Sequence, residues 1–153
     1  MKEQVKSKTT LVNIQPIPAR TRREVVKDFP QGLRRMMESV MNEVITTGGT
    51  IAGPPMVLYY DQVWDLAKVD LEVVWPVAGP DQANGIVPAV TAAKYVHVGP
   101  YDSLTPVYEA MFEWIAEHGY RPLCPVREVY PNDPGTTPPE QLLTEIILPV
   151  EKA

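Results

Sequence analysis

The chain has one cysteine, Cys124, in 153 residues. That excludes an internal disulfide and any metal site built from several thiolates, and it fits a reducing compartment. Histidine is nearly as scarce. His97 and His118 are far apart and in no metal-ligand pattern, so they read as surface or helix-end residues and no metal is expected. Long hydrophobic runs are missing too: no N-terminal stretch resembles a signal peptide, and nothing approaches membrane-spanning length. The expectation is a soluble, cytoplasmic protein with no membrane partner. Positive charge is in deficit, with 14 Lys and Arg against 19 Asp and Glu for a net charge of -5. A phosphate backbone needs a basic surface, so direct nucleic-acid binding is not expected. Basic residues do cluster at Arg20, Arg22, Arg23, Lys27, Arg34 and Arg35, but no aromatics interleave them, and they read as a solvated edge strand and helix face. Gly48-Gly49 has no lysine after it, which removes a phosphate loop. Cys124, between Leu123 and Pro125 with no base beside it, reads as packing, and Ser103 as a helix cap. No cofactor is implied.

What is present is ordinary globular material, 44% hydrophobic and 22% charged, in a length that suits one domain over 1–153. The 17 prolines fall mostly at the edges of patterns, as strand and turn terminators. The chain is also written twice. Pro18-Ala19-Arg20-Thr21 returns as Pro88-Ala89-Val90-Thr91, Pro30 returns as Pro100, and Leu71–Val77 returns as Thr144–Val150. Two copies, 9–77 and 87–150, are too few for a solenoid and suggest a pseudo-twofold domain with a groove between its halves.

Strand patterns run over Thr9–Ile14, Thr21–Val26, Met56–Tyr60 and Val69–Val77, with a turn over Asp61–Lys68. Leu33, Met36, Met37, Val40, Met41, Val44 and Ile45 make one apolar stripe on a helix over Gly32–Thr47, which Gly48-Gly49 stops. After the breaker-rich linker 78–85, Val87–Val98 is extended. A second helix follows Asp102 or Ser103, with Leu104, Val107, Tyr108, Met111 and Ile115 as its buried stripe and Gly119 at its end. Val126–Tyr130 and Leu142–Val150 are the last strands, separated by a proline-rich loop. The order strand, helix, strand, strand, given twice, predicts an α+β fold: a duplicated β-α-β-β unit forming a curved antiparallel sheet, both helices on one face and a ligand groove between the halves.

One carboxylate stands out in this pattern. Glu145 shares its strand face with Leu143 and Ile147, and the opposite face, Thr144, Ile146 and Leu148, is apolar as well. A carboxylate there is expected to be partly desolvated, which suits binding a lipophilic cation or acting as general base on water. The alternative is an exposed glutamate on the outer face. Glu72 is its repeat partner with more polar neighbours, Asp70 among them. Aromatic residues are spread over both halves and could wall a pocket for a flat cationic molecule. Trp75, Tyr95 and Tyr130 fit pocket or core equally, while Tyr108 and Phe112 fit the core better.

With these elements placed, the chain resembles the GyrI-like small-molecule-binding domains, the effector-binding modules of the BmrR and Rob type. The resemblance rests on Ala93–Tyr101 before the second helix, on Arg127-Glu128-Val129-Tyr130-Pro131-Asn132-Asp133-Pro134, and on Thr144–Val150. It implies a groove lined with aromatics and a last-strand glutamate at its centre contacting cationic ligands. That glutamate maps onto Glu145 and the motif tyrosine onto Tyr130. Tyr101 closes the first motif and joins Glu145, Tyr130, Trp75, Tyr95 and Glu72 as candidate ligand contacts. Some stand-alone relatives are described as hydrolases of electrophilic cyclopropanes; in such a reaction Glu145 would be catalytic, with Trp75 or Tyr130 as its aromatic neighbour. Few residues precede the first strand, so a DNA-binding domain in the same chain is not expected.

Three functions remain in view. The first is a stand-alone binder of an amphipathic, cationic, aromatic small molecule, for sensing or sequestration. The second is a hydrolase using Glu145. The third is an inhibitor acting in trans on a protein partner such as a topoisomerase, which the family alone suggests.

Overall fold

The computed structural model describes residues 1–61 and 64–153, so part of the turn expected over Asp61–Lys68 lies outside the described residues. Its helices are α1 (Lys2–Lys8), α2 (Gln31–Thr46) and α3 (Thr105–Glu117). Its strands are β1 (Thr10–Ile14), β2 (Ile17–Val26), β3 (Met56–Tyr59), β4 (Val69–Pro76), β5 (Gly85–Val87), β6 (Val90–Val98), β7 (Tyr120–Pro122), β8 (Val126–Val129) and β9 (Leu143–Lys152). The fold is mixed α+β, and every described ladder is antiparallel. Two compact units emerge, one made of Met1–Ile14 with Val90–Ala153, the other of Gln15–Ala89.

The Gln15–Ala89 unit has strand order β3-β4-β2-β5 with α2 against it. The apolar stripe read from the sequence explains why α2 lies there: Leu33, Met36, Val40 and Val44 are buried, whereas Ile45 is exposed on the far side. Gly48 ends the helix at φ 78, a left-handed conformation that L side chains rarely adopt. Arg22 on β2 reaches Ser39 and Glu43 of α2, which identifies the helix-facing side of the sheet. Residues directly opposite in an antiparallel pair share a face. Val73 lies opposite Arg22, and Val57 opposite Val73, so Val57, Tyr59, Leu71, Val73 and Trp75 all face α2. Of the basic cluster, Arg23, Lys27, Arg34 and Arg35 are exposed as expected, while Arg20 and Arg22 are partly buried. Arg20 and Arg22 pair with Glu43, Arg23 with Asp70, and Arg35 with Asp28. β2 is also no edge strand, being flanked by β4 and β5.

In the other unit β1, β6, β9 and β8 follow one another, and β7 pairs with the end of β9. Val107, Ala110, Met111, Trp114 and Ile115 of α3 pack on Ala93, Ile146, Leu148 and Val150. Each such large aliphatic side chain removed from water contributes about 1.5–3 kcal/mol. This places the odd positions of β6 and the even positions of β9 under α3. The sequence pattern missed α1, which has a single apolar anchor, the buried Val5. Tertiary contacts hold it instead: Lys2 and Lys6 pair with Glu113 of α3 at 2.6 and 3.0 Å.

Candidate functional site

Beyond the apolar part of the α3-facing layer lies a polar group. Glu128 on β8 stands opposite Ile146, so it points under α3, and it is 9% exposed. Its two carboxylate oxygens accept hydrogen bonds from different tyrosines. Tyr130 Oη donates to Oε1 at 2.8 Å, and Tyr108 Oη, from α3, donates to Oε2. Burial pushes the carboxyl above the usual carboxylate range; the two hydroxyls and the charge of His97 pull the other way without reversing the shift.

Aromatic rings surround this carboxylate. Tyr101 meets Tyr130 edge-on, centroids 5.7 Å apart at 64°, and Phe112 lies 6.3 Å from Tyr108. Phe112 is 41% exposed, so the outer rings open to solvent while the carboxylate behind them does not. Burial, then the charges of Asp133 and Glu128, hold the Tyr101 hydroxyl above its ordinary range. Tyr101 sits in a short turn, Tyr101–Ser103, rather than in a helix or strand.

His97 completes the group and corrects the sequence reading, which placed it at the surface. It is buried, on the α3-facing side, with Nε2 3.0 Å from Ser103 Oγ and 3.3 Å from the Pro100 carbonyl. Ser103 Oγ donates its one hydrogen to that same carbonyl at 2.7 Å, so Nε2 is the donor toward Oγ. Ser103 therefore ties the turn to His97 rather than capping α3, whose N-cap position is Leu104. His118 is the expected helix-end residue, bonded to the Trp114 carbonyl and stacked on its ring.

The residues singled out from sequence have several locations. Glu145 is on the face away from α3, opposite Val96; its side chain is 26% exposed and paired with Lys94 at 3.2 Å. Tyr130 and Tyr101 belong to the Glu128 group. Tyr95 packs on the core beneath α3. Glu72 is in the other unit, on the face away from α2, where it accepts a 2.6 Å bond from Tyr60 Oη. The Arg23 guanidinium lies 3.5 Å from the centre of the Tyr60 ring and is bonded to Asp70 at 2.9 and 3.0 Å. Burial, followed by Glu72, pushes the Tyr60 hydroxyl up to about 12. Trp75 is half-buried and its Nε1 donates to the Met37 carbonyl of α2 at 2.8 Å. Trp75→Phe is accordingly expected to cost the fold about 1 kcal/mol in denaturant unfolding. Among the described residues no group of three His, Cys, Asp or Glu could hold a metal ion.

Glu128 is the residue sequence reasoning missed, although a signal for it exists. Helix-facing Val57 and Tyr59 of β3 have as counterparts Glu128 of β8 and Tyr130 just beyond it. Tyr59 meets Phe29 edge-on, as Tyr130 meets Tyr101. Where one copy buries a valine completely, the other buries a carboxylate.

A model of the GyrI-like small molecule binding domain matches residues 57–151. The chain belongs to this family. The GyrI-like domain is similar to the crystal structure of the EcmrR C-terminal domain, at 26% identity and TM-score 0.83 over 95% of this chain and 98% of that one. In the cryo-EM structure of an EcmrR–DNA complex the identity is 27%, and the chain spans 57% of that longer protein. The same fold recurs in a hydrolase from Listeria innocua, at 14% identity and TM-score 0.71 over 98% of each chain. It recurs again in SAV2435 bound to tetraphenylphosphonium, at 13% identity and TM-score 0.58 over 94% and 93%. No curated protein matches the chain. No helix among the described residues is long and apolar enough to cross a membrane.

Proposed function

We propose that this GyrI-like domain binds amphipathic organic cations, with Glu128 as the counter-charge and Tyr101, Tyr108, Phe112 and Tyr130 as the surrounding rings. The observation that carries the reading is the buried Glu128 carboxylate held between two tyrosine hydroxyls. A carboxylate out of water is costly unless a positive group completes its environment. The ring faces around it attract the same kind of charge. SAV2435, which shares the fold, holds a lipophilic aromatic cation. Glu145 has no direct part in this reading, because Lys94 already serves as its cation. Calorimetric titration of tetraphenylphosphonium against neutral triphenylphosphine oxide, on wild type and Glu128→Gln, tests the proposal. Equal affinity for both compounds in wild type would refute it.

The raised carboxyl of Glu128 favours a second reading. A carboxylate made more basic by burial is a competent general base toward water. In a hydrolase, Glu128 would take a proton from water attacking a strained electrophilic carbon. The ring bond would break with its electron pair left on the neighbouring carbon, and that carbon would take the proton back from Glu128. Mass spectrometry of cyclopropane-bearing electrophiles incubated with the protein separates the two. Compounds recovered intact indicate a binder; a water-added product that disappears in Glu128→Gln indicates a hydrolase.

A further inference from the structure

Thr144 is 0% exposed, and its Oγ1 has no hydrogen-bond partner among the described residues. It stands opposite His97 on β9, two residues from Ile146, the position facing Glu128. Its side chain therefore lies in the same α3-facing layer as the Glu128 group. Buried hydroxyls without partners are rare in folded proteins, and each calls for an explanation. The other unit shows what packing alone selects at this place. There Leu71 stands opposite Glu24 of β2, faces α2 and is fully buried. Two neighbouring positions that are apolar in one copy, Val57 and Leu71, are thus polar in the other, as Glu128 and Thr144.

The Glu128 carboxylate is likewise incompletely used. Each oxygen of a carboxylate can accept two hydrogen bonds, and the tyrosines supply one to each. The Thr144 hydroxyl adds one donor and two acceptor sites, so beside the two spare carboxylate lone pairs acceptors still exceed donors around this group. A tetraalkylammonium or phosphonium ion neutralises charge but donates nothing. A protonated amine with two or three N–H groups does both.

We infer that this site prefers protonated primary or secondary aromatic amines, whose N–H groups donate to Glu128 and to Thr144 Oγ1, over quaternary cations of the same size. The inference rests on the reading of Glu128 as a cation site.

The test is a matched pair, 1-naphthylmethylammonium and its N,N,N-trimethyl homologue, identical in ring and charge, titrated calorimetrically. Wild type should bind the primary amine about tenfold more tightly, the worth of a charged hydrogen bond in a buried site. Thr144→Val should remove that preference by weakening the primary amine alone, and Thr144→Ser should keep it. Thr144→Val should also raise Tm by a few degrees, since a methyl replaces an unsatisfied hydroxyl. A fall in Tm would mean the hydroxyl is bonded within the protein, and would overturn the inference. Equal binding of the pair to wild type, or a preference surviving in Thr144→Val, overturns it while leaving the cation site intact. Failure of both amines to bind, or affinities unchanged in Glu128→Gln, overturns the cation site and this inference with it.

Discussion

Glu128→Gln is expected to weaken tetraphenylphosphonium binding by about 100-fold and to leave triphenylphosphine oxide within about threefold. Losing one charge of a buried pair typically costs about 2–5 kcal/mol, and 100-fold is near the low end of that range. Glutamine preserves shape and can still accept a hydrogen bond from tyrosine, so a packing effect would weaken the neutral compound equally. The pH dependence separates the two further. A cation prefers the ionised carboxylate, and burial raises the pH at which Glu128 ionises. Wild-type affinity for the cation should therefore fall as pH drops toward and through that raised value, while affinity for the oxide stays level. In Glu128→Gln both curves should be flat. A wild-type curve as flat as the variant's would rule out Glu128 as the counter-charge.

The same substitution is expected to stabilise the ligand-free protein. The folded-state carboxyl titrates above its unfolded value, because burial penalises the charged form. Below the unfolded value, near 4.3, both states are protonated and wild type and variant should unfold alike. As pH rises through the raised folded value, the folded wild type loses stability that the variant keeps. The difference then levels off. Relieving a buried charge that hydrogen bonds offset only in part gives about 1–3 kcal/mol, or roughly 3–8 °C in Tm. Thermal unfolding at pH 4 and pH 8 checks this, and a variant less stable than wild type at pH 8 contradicts it. Together the two results describe a site that costs the empty protein stability and returns it when a cation is bound.

Much of the fold could be read from the sequence. The apolar stripes of α2 and α3 and the terminal glycines Gly48 and Gly119 specify two helices, and the duplicated strand patterns specify what packs beneath them. α1 could not be read, because one apolar residue in seven gives no periodicity; Val5 finds its burial only through α3. β7 is three residues long and shows no alternation. The site was partly legible. The second copy does hold a carboxylate among aromatic rings, and Tyr130 and Tyr101 stand beside it, but the carboxylate is Glu128 and not Glu145. Alternation alone could not rank Glu128 against Glu145. Both sit in strands among apolar residues, and which face of each strand a helix covers is decided by tertiary packing. His97 was missed for a similar reason. Its neighbours in sequence, Val96 and Val98, are exposed, and the turn that encloses it is local geometry without a pattern.

Arg23, lying over the Tyr60 ring beside Glu72 and Asp70, is in effect a ligand supplied by the chain itself. Its tether fixes an effective concentration on the order of millimolar at that ring, and a soluble cation must outcompete it at every instant. Molecules present at micromolar levels therefore find that aromatic face already occupied. Cation and carboxylate are encoded together in the Gln15–Ala89 unit, so its saturation is independent of any supply from outside. In the other unit the proposed reading leaves Glu128 a carboxylate bonded to tyrosine hydroxyls, whose cation would have to be captured.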